Sequence, residues 1–137
     1  MKFKYEKLLA GKGASVKELI SVPLIRVDFS SPPSYFCLVD SGADNTIFHG
    51  DIGRDIFGLK IENGEKKTIT GISGHQFTGY IHRIQYKLGG WDYEADVVFA
   101  DNLAFPFGIL GRNGFFEFFA VKITHNQESI ELKDLTR

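Results

Sequence analysis

The chain has 137 residues, of which 43% are hydrophobic and 14% aromatic, and its formal net charge is −1. This length and composition suit one domain with its own core, and the even mixture of acids and bases gives no reason to propose a nucleic-acid partner. A single cysteine excludes an internal disulfide, and no run approaches the ~18 apolar residues that span a bilayer. Because the N-terminus also lacks the apolar run of a signal peptide, we expect a cytoplasmic protein with no membrane partner.

Short extended segments, separated by turns, follow one another along the chain. Residues 1–20 have no clear pattern, residues 23–29 alternate as a half-buried strand does, and the apolar run at 35–39 predicts a strand covered on both faces. Further strands are predicted at 46–48, 68–70, 77–86, 93–99, 107–110, 121–125 and 129–133, with a short helix at 51–57. Many short strands at regular spacing favour an antiparallel sandwich or barrel.

Asp40 is the residue on which a functional hypothesis depends. It follows the apolar run at 35–39, so its carboxylate is expected at the end of a buried strand, where an unpaired charge is costly. Gly42 permits a tight backbone turn, and Ser41 supplies a hydroxyl that can bond to neighbouring groups. The segment therefore predicts a rigid loop that presents one carboxylate from a β scaffold.

Two motifs resemble those of the retropepsin-like (retroviral-type) aspartic peptidases. Residues 38–47, LVDSGADNTI, resemble the active-site strand and loop of that family, and residues 109–113, ILGRN, resemble its second motif. The resemblance implies an all-β fold, a mainly antiparallel closed barrel or sandwich of the acid-protease type, with one short helix after the Gly-Arg-Asn segment. It extends over about residues 22–125 and treats residues 1–137 as a single domain, although 1–20 and 126–137 have no clear match.

The resemblance also implies a role for individual residues. Asp40 would be the catalytic carboxylate, and the residues that complete its loop would be Ser41, Gly42 and Ala43. Arg112 and Asp44 would form a supporting ion pair beside the site, because the planar fork of arginine suits a partly buried carboxylate.

A predicted hairpin turn contains Gly71, Ile72, Ser73 and Gly74. It stands where the family has its flap, the hairpin that closes over substrate, although glycines at such positions are also ordinary turn residues. The four residues are therefore candidates for substrate binding.

Aspartic peptidases need two carboxylates, one to activate water and one to polarise the scissile carbonyl. This chain has one credible candidate, because the other Asp-x-Gly, at Asp51, has no buried strand leading into it. The second carboxylate is therefore expected from Asp40 of another copy, in a two-fold symmetric homodimer that hydrolyses a peptide or protein substrate.

Two hypotheses other than the peptidase stay open. None of the three requires a cofactor. The same fold could serve as a peptide-binding or dimerisation module with little or no turnover, since fold does not determine function. An unrelated β-barrel could also contain an Asp-Ser-Gly turn by coincidence. The four histidines are scattered without ligand spacing and Cys37 has no nearby cysteine, so no metal is expected.

Overall fold

The computed structural model describes residues 1–11, 17–71 and 73–137, which fold mainly as β-strands. The first five strands in chain order are β1 (Lys2–Lys4), β2 (Glu6–Gly11), β3 (Lys17–Val22), β4 (Leu24–Val27) and β5 (Tyr35–Val39). They are followed by β6 (Ile47–His49), β7 (Glu65–Thr70), β8 (Gln76–Leu88), β9 (Trp91–Ala100), β10 (Gly108–Leu110), β11 (Phe119–Thr124) and β12 (Ser129–Asp134). The strands predicted beyond residue 20 are therefore confirmed, and the segment before it contributes β1, β2 and most of β3.

Seven strands form the central sheet, in the order β4-β5-β10-β6-β9-β8-β7. Most neighbouring pairs are antiparallel, but β10 runs parallel to β5, and β6 runs parallel to β9. The parallel register pairs Leu110 with Val39, which are the last residues of β10 and β5. As a result Asp40 and Gly111, the next residue on each strand, leave the sheet side by side.

The remaining strands form two smaller sheets, β1-β12-β11 and the ribbon β2-β3. The predicted all-β fold of the acid-protease type is confirmed, and most strand pairs in it are antiparallel. Within the described ranges, however, no sheet closes into a barrel, because β4 and β7 at the two ends of the central sheet do not pair with each other.

The prediction of a helix after the Gly-Arg-Asn segment is wrong, since Asn113 makes an isolated β-bridge with Asn45 and residues 114–118 form turns. Gly114 has a φ of +93°, which a right-handed helix cannot contain, and its N–H is bonded to the Glu117 side chain at 2.8 Å. The short helix predicted at 51–57 is confirmed as a single π-helical turn, Ile52–Ile56. Short 3-10 turns lie at Ile61–Asn63 and His125–Gln127, and no helix in the described part of the chain is long and apolar enough to cross a membrane.

The main core is rich in aromatic rings that meet edge to face. Phe48 contacts Tyr35, Phe29 and Phe99 with ring centroids 5.2, 6.0 and 6.1 Å apart. The prediction that β5 is covered on both faces is wrong, because Phe36 on its outer face is 39% exposed. Leu38 on the same outer face is half-buried, whereas Tyr35, Cys37 and Val39 on the inner face are buried in the core.

Candidate active site

Asp40 lies at the end of β5 in a tight turn, residues 40–44, called the Asp40 loop below. Its backbone N–H donates to the Leu110 carbonyl at 3.0 Å and extends the β5–β10 pairing by one residue. Its half-buried carboxylate accepts the Gly42 N–H at Oδ1, also at 3.0 Å, and Ala43 donates to the Asp40 carbonyl at 3.2 Å. Its other oxygen, Oδ2, makes no hydrogen bond to any residue that the structure describes. The turn thus orients the carboxylate through one oxygen and leaves the other free.

Arg112 fastens the Asp40 loop to the end of β10 at three points. Its backbone N–H donates to the Ala43 carbonyl at 2.9 Å, and its guanidinium donates to the Ser41 carbonyl at 2.8 Å and to the Asp44 carboxylate. The Arg112 and Asp44 side chains are 54% and 71% exposed, and exposed ion pairs contribute only about 0.2–1 kcal/mol. The contribution of Arg112 is therefore mainly geometric, and its supporting role in catalysis stays a prediction.

Thr46 forms a second, buried connection between the same two segments. Its hydroxyl donates to the Asn113 carbonyl at 2.8 Å and accepts the Gly111 N–H at 3.1 Å. A Cβ on Gly111 would lie 2.2 Å from the carbonyl oxygen of Asn45, so only glycine allows the two backbones to approach this closely. The connection holds the Asp40 loop rigidly against the β10 end.

A cavity of about 300 Å³ begins at the Asp40 loop, where Gly42, Ala43 and Asp44 line it. Its other walls come from the start of β6, the β7–β8 hairpin, the middle of β10 and the segment 101–107. The apolar side chains among them are Ile47, Ile69, Phe77, Leu103, Phe105 and Ile109. This Asp40-loop cavity is of a size and polarity suited to apolar side chains of a peptide.

A larger concavity, of about 500 Å³, lies on the three-stranded sheet between Met1 and Leu132. It is an open surface lined partly by lysines and lies away from the Asp40 loop. Size alone would favour it, but chemistry requires a positioned carboxylate. The Asp40-loop cavity is the better candidate because Gly42, Ala43 and Asp44 of the same loop line it, although Asp40 itself is not a lining residue.

The β7–β8 hairpin predicted as a flap is present, with its turn exposed to solvent. The Gly74 N–H closes this turn on the Gly71 carbonyl at 2.9 Å, and Ser73 lies between them, whereas Ile72 is outside the described residues. None of the described turn residues lines the Asp40-loop cavity, which the hairpin reaches through strand residues such as Phe77. A substrate role for the turn stays a prediction.

No family model matches this chain, and no curated protein matches it. A solved structure of the EIAV protease complexed with the inhibitor HBY-793 aligns with a TM-score of 0.50. The alignment covers 66% of this chain and 82% of the EIAV protease. The chain has a retropepsin-like fold. At 22% sequence identity, the likeness concerns the fold alone.

The segment 101–107 forms one wall of the Asp40-loop cavity of this retropepsin-like fold. Contacts with residues distant in the chain hold the segment in place. Arg54 donates to both oxygens of Asp101 at 2.8 and 2.9 Å, and this hydrogen bonding holds the pKa of Asp101 below its ordinary value. Further along, the His49 ring nitrogen Nε2 lies 2.8 Å from the Phe105 carbonyl. The segment is therefore anchored at its start and near its middle.

The sequence did not identify several residues that line the Asp40-loop cavity, including Lys67, Leu103 and Phe105. The alternation along β7 places Lys67 and Ile69 on one face and could have identified Lys67. No sequence signal identifies Leu103 or Phe105, because contacts with distant residues determine where their segment lies.

Proposed function

We propose that the chain is an aspartic endopeptidase that acts as a symmetric homodimer, in which each copy contributes Asp40. The observation that carries the proposal is the Asp40 carboxylate itself. It directly follows β5, one oxygen is oriented by the Gly42 N–H, and the other has no hydrogen-bond partner among the described residues. Preorganisation of this kind lowers the cost of positioning a reacting group.

The chemistry requires the two symmetry-related carboxylates to share one proton, because two negative charges so close together cannot both be stable. The ionised Asp40 would take a proton from a water molecule as the water oxygen attacks the scissile carbonyl carbon. The protonated Asp40 of the second copy would donate its proton to the carbonyl oxygen. Collapse of the resulting gem-diol would break the C–N bond as the first Asp40, which holds the proton taken from water, gives it to the leaving nitrogen. One gem-diol hydroxyl would lose its proton to the Asp40 of the second copy, which restores the shared proton.

The exposed Ser41 is available to a second copy at this position. Its carbonyl is bound by Arg112, but its hydroxyl makes no hydrogen bond among the residues described for one chain. In the proposed dimer, this hydroxyl would bond to the loop of the other copy and hold the two carboxylates at a constant separation.

The test compares Asp40→Asn with Asp51→Asn in cleavage of a peptide library. Asp51 is the matched control, because it occupies the other Asp-x-Gly and its side chain is 85% exposed. Loss of the shared proton should lower the cleavage rate of Asp40→Asn by at least about 10²-fold, while Asp51→Asn should cleave like the parent. Cleavage by Asp40→Asn at the parent rate would refute the mechanism.

A mixing experiment tests the dimer separately from the chemistry. When equal amounts of parent and Asp40→Asn exchange subunits at random, roughly a quarter of the dimers keep two aspartates. Activity per parent chain should therefore fall by about half, whereas a monomeric enzyme would show no change. Peptide binding without cleavage, in a dimer confirmed by sedimentation, would instead identify the chain as a binding module.

A further inference from the structure

Lys67 lies on the inner face of the β7–β8 hairpin and lines the Asp40-loop cavity. It is half-buried, whereas its neighbour Lys66 is exposed and lines neither this cavity nor the one described next. It also borders a second cavity, of about 240 Å³, on its other side. Lys67 therefore borders the cavity in which a side chain of the substrate would lie.

Gly79 lies directly opposite Lys67 in the β7–β8 register. A Cβ on Gly79 would lie 2.3 Å from Cγ1 of Val98, and directly opposed residues share a face of the sheet, so Lys67 extends on the side of Val98. Since glycine has no side chain, nothing opposite Lys67 supplies a counter-charge. The lysine stem is therefore next to apolar groups, and its charge is not neutralised across the strand.

Within residues 1–11, 17–71 and 73–137, the Lys67 ammonium makes no hydrogen bond or ion pair. Three acids line the second cavity, but Asp96 pairs with Arg83 at 3.4 Å and Glu117 accepts the Gly114 N–H at 2.8 Å. The third, Glu65, is exposed and does not come within ion-pair distance of Lys67. A cation without a partner, on a half-buried side chain, is available to attract an anion that enters the cavity.

In the Asp40-loop cavity the only other charged side chain among its described lining residues is Asp44, which Arg112 already binds. We propose that Lys67 determines specificity for a substrate that places an acidic side chain, Asp or Glu, in this cavity, with apolar side chains filling the remainder. The inference rests on the proposed peptidase function and names the class of peptide on which it acts. Lys67 would bind the substrate carboxylate and take no part in bond cleavage.

The test uses peptide pairs that differ only by Glu or Gln, with the substitution moved through each position near the scissile bond. The parent should prefer Glu at one position by about tenfold in kcat/KM, because the charge pair is only partly desolvated. Lys67→Met keeps the length of the side chain and should reduce the preference to within about twofold, and Lys67→Glu should favour a Lys peptide over the Glu peptide. The control Lys66→Met changes the same residue type on the outer face and should keep the tenfold preference.

Binding of the same peptide pairs to the Asp40→Asn variant separates this inference from the proposed function. A Glu preference that depends on Lys67 in binding, with no cleavage by the parent, would uphold the Lys67 site and refute the enzyme. Cleavage without a Glu preference at any position, or a preference that survives in Lys67→Met, would overturn the Lys67 site and leave the enzyme intact. The preference should also weaken as salt is raised from 0.05 to about 0.5 M, since screening weakens a partly exposed charge pair.

Discussion

The substitution Thr46→Val tests whether a buried hydroxyl fastens the Asp40 loop to the end of β10. Valine has nearly the same shape, and the site is fully buried, so the change removes two hydrogen bonds and introduces little steric strain. The Asn113 carbonyl keeps its bond from the Thr46 backbone at 3.0 Å, but the buried Gly111 N–H is left without a partner. One such unpaired donor costs about 1–3 kcal/mol.

The new methyl group recovers up to about 1 kcal/mol of this cost, so the expected net loss in the free energy of unfolding is about 1–2 kcal/mol. With a urea m-value of about 2 kcal/mol/M, the unfolding midpoint should fall by about 0.5–1 M. All variants must be compared at one protein concentration, since self-association adds to apparent stability.

Two controls make the result specific to the hydroxyl. Thr46→Ser keeps the hydroxyl and should lose less than Thr46→Val, whereas Thr68→Val alters an exposed threonine and should stay within about 0.5 kcal/mol of the parent. If Thr46→Val unfolds at the parent midpoint, or if Thr46→Ser is destabilised as much as Thr46→Val, the hydrogen-bonded connection does not contribute as described.

Three further predictions concern the backbone contact, the buried thiol and the anchor of segment 101–107. Gly111→Ala should lower the free energy of unfolding by more than the roughly 1–3 kcal/mol that is usual for an overpacked core, because the new Cβ would lie 2.2 Å from a backbone oxygen. The control is Gly11→Ala, whose Cβ would have no atom within 4 Å, and equal urea midpoints for the two variants would refute this prediction. Burial raises the pKa of the Cys37 thiol, so thiol reagents should label it only as fast as the chain unfolds, and faster labelling in native buffer would contradict its burial. Hydrogen bonds from Arg54 lower the pKa of Asp101, so the ionised Asp101 should stabilise the fold fully above about pH 4, and this stabilisation should be lost as the pH falls further. In urea titrations between about pH 4 and 2, the free energy of unfolding of Asp101→Asn should therefore fall less than that of the parent. Parallel pH profiles for the two proteins would refute the anchoring role of this ion pair.

Local patterns predicted the strands well because their information lies within a few residues. The alternation at 23–29 is seen in part, because Arg26 is exposed between the buried residues Ile25 and Val27, whereas Leu24 on the face of Arg26 is also buried. Gly89 and Gly90 form the turn between the strands predicted at 77–86 and 93–99, and both adopt positive φ in the structure. The prediction failed for the outer face of β5, because an apolar run does not reveal whether a second layer covers it.

The residues of the Asp40 loop could be named from sequence because the motif lies within ten consecutive positions. Its resemblance to a family also placed Arg112 beside Asp44, and that ion pair is present in the structure. The helix after the second motif was wrongly expected, because Gly114 there adopts a left-handed conformation that the family pattern did not include.

By itself, the sequence determined that this is a β protein with a single well-placed carboxylate at the end of an apolar strand. Only the tertiary structure decided what surrounds that carboxylate. The register of β10 beside β5 brings Gly111 next to Asp40, and the β7–β8 hairpin carries Lys67 to the cavity that Gly42, Ala43 and Asp44 line. These neighbours are far apart in the chain, so their proximity depends on strand pairing and packing, which no local pattern encodes.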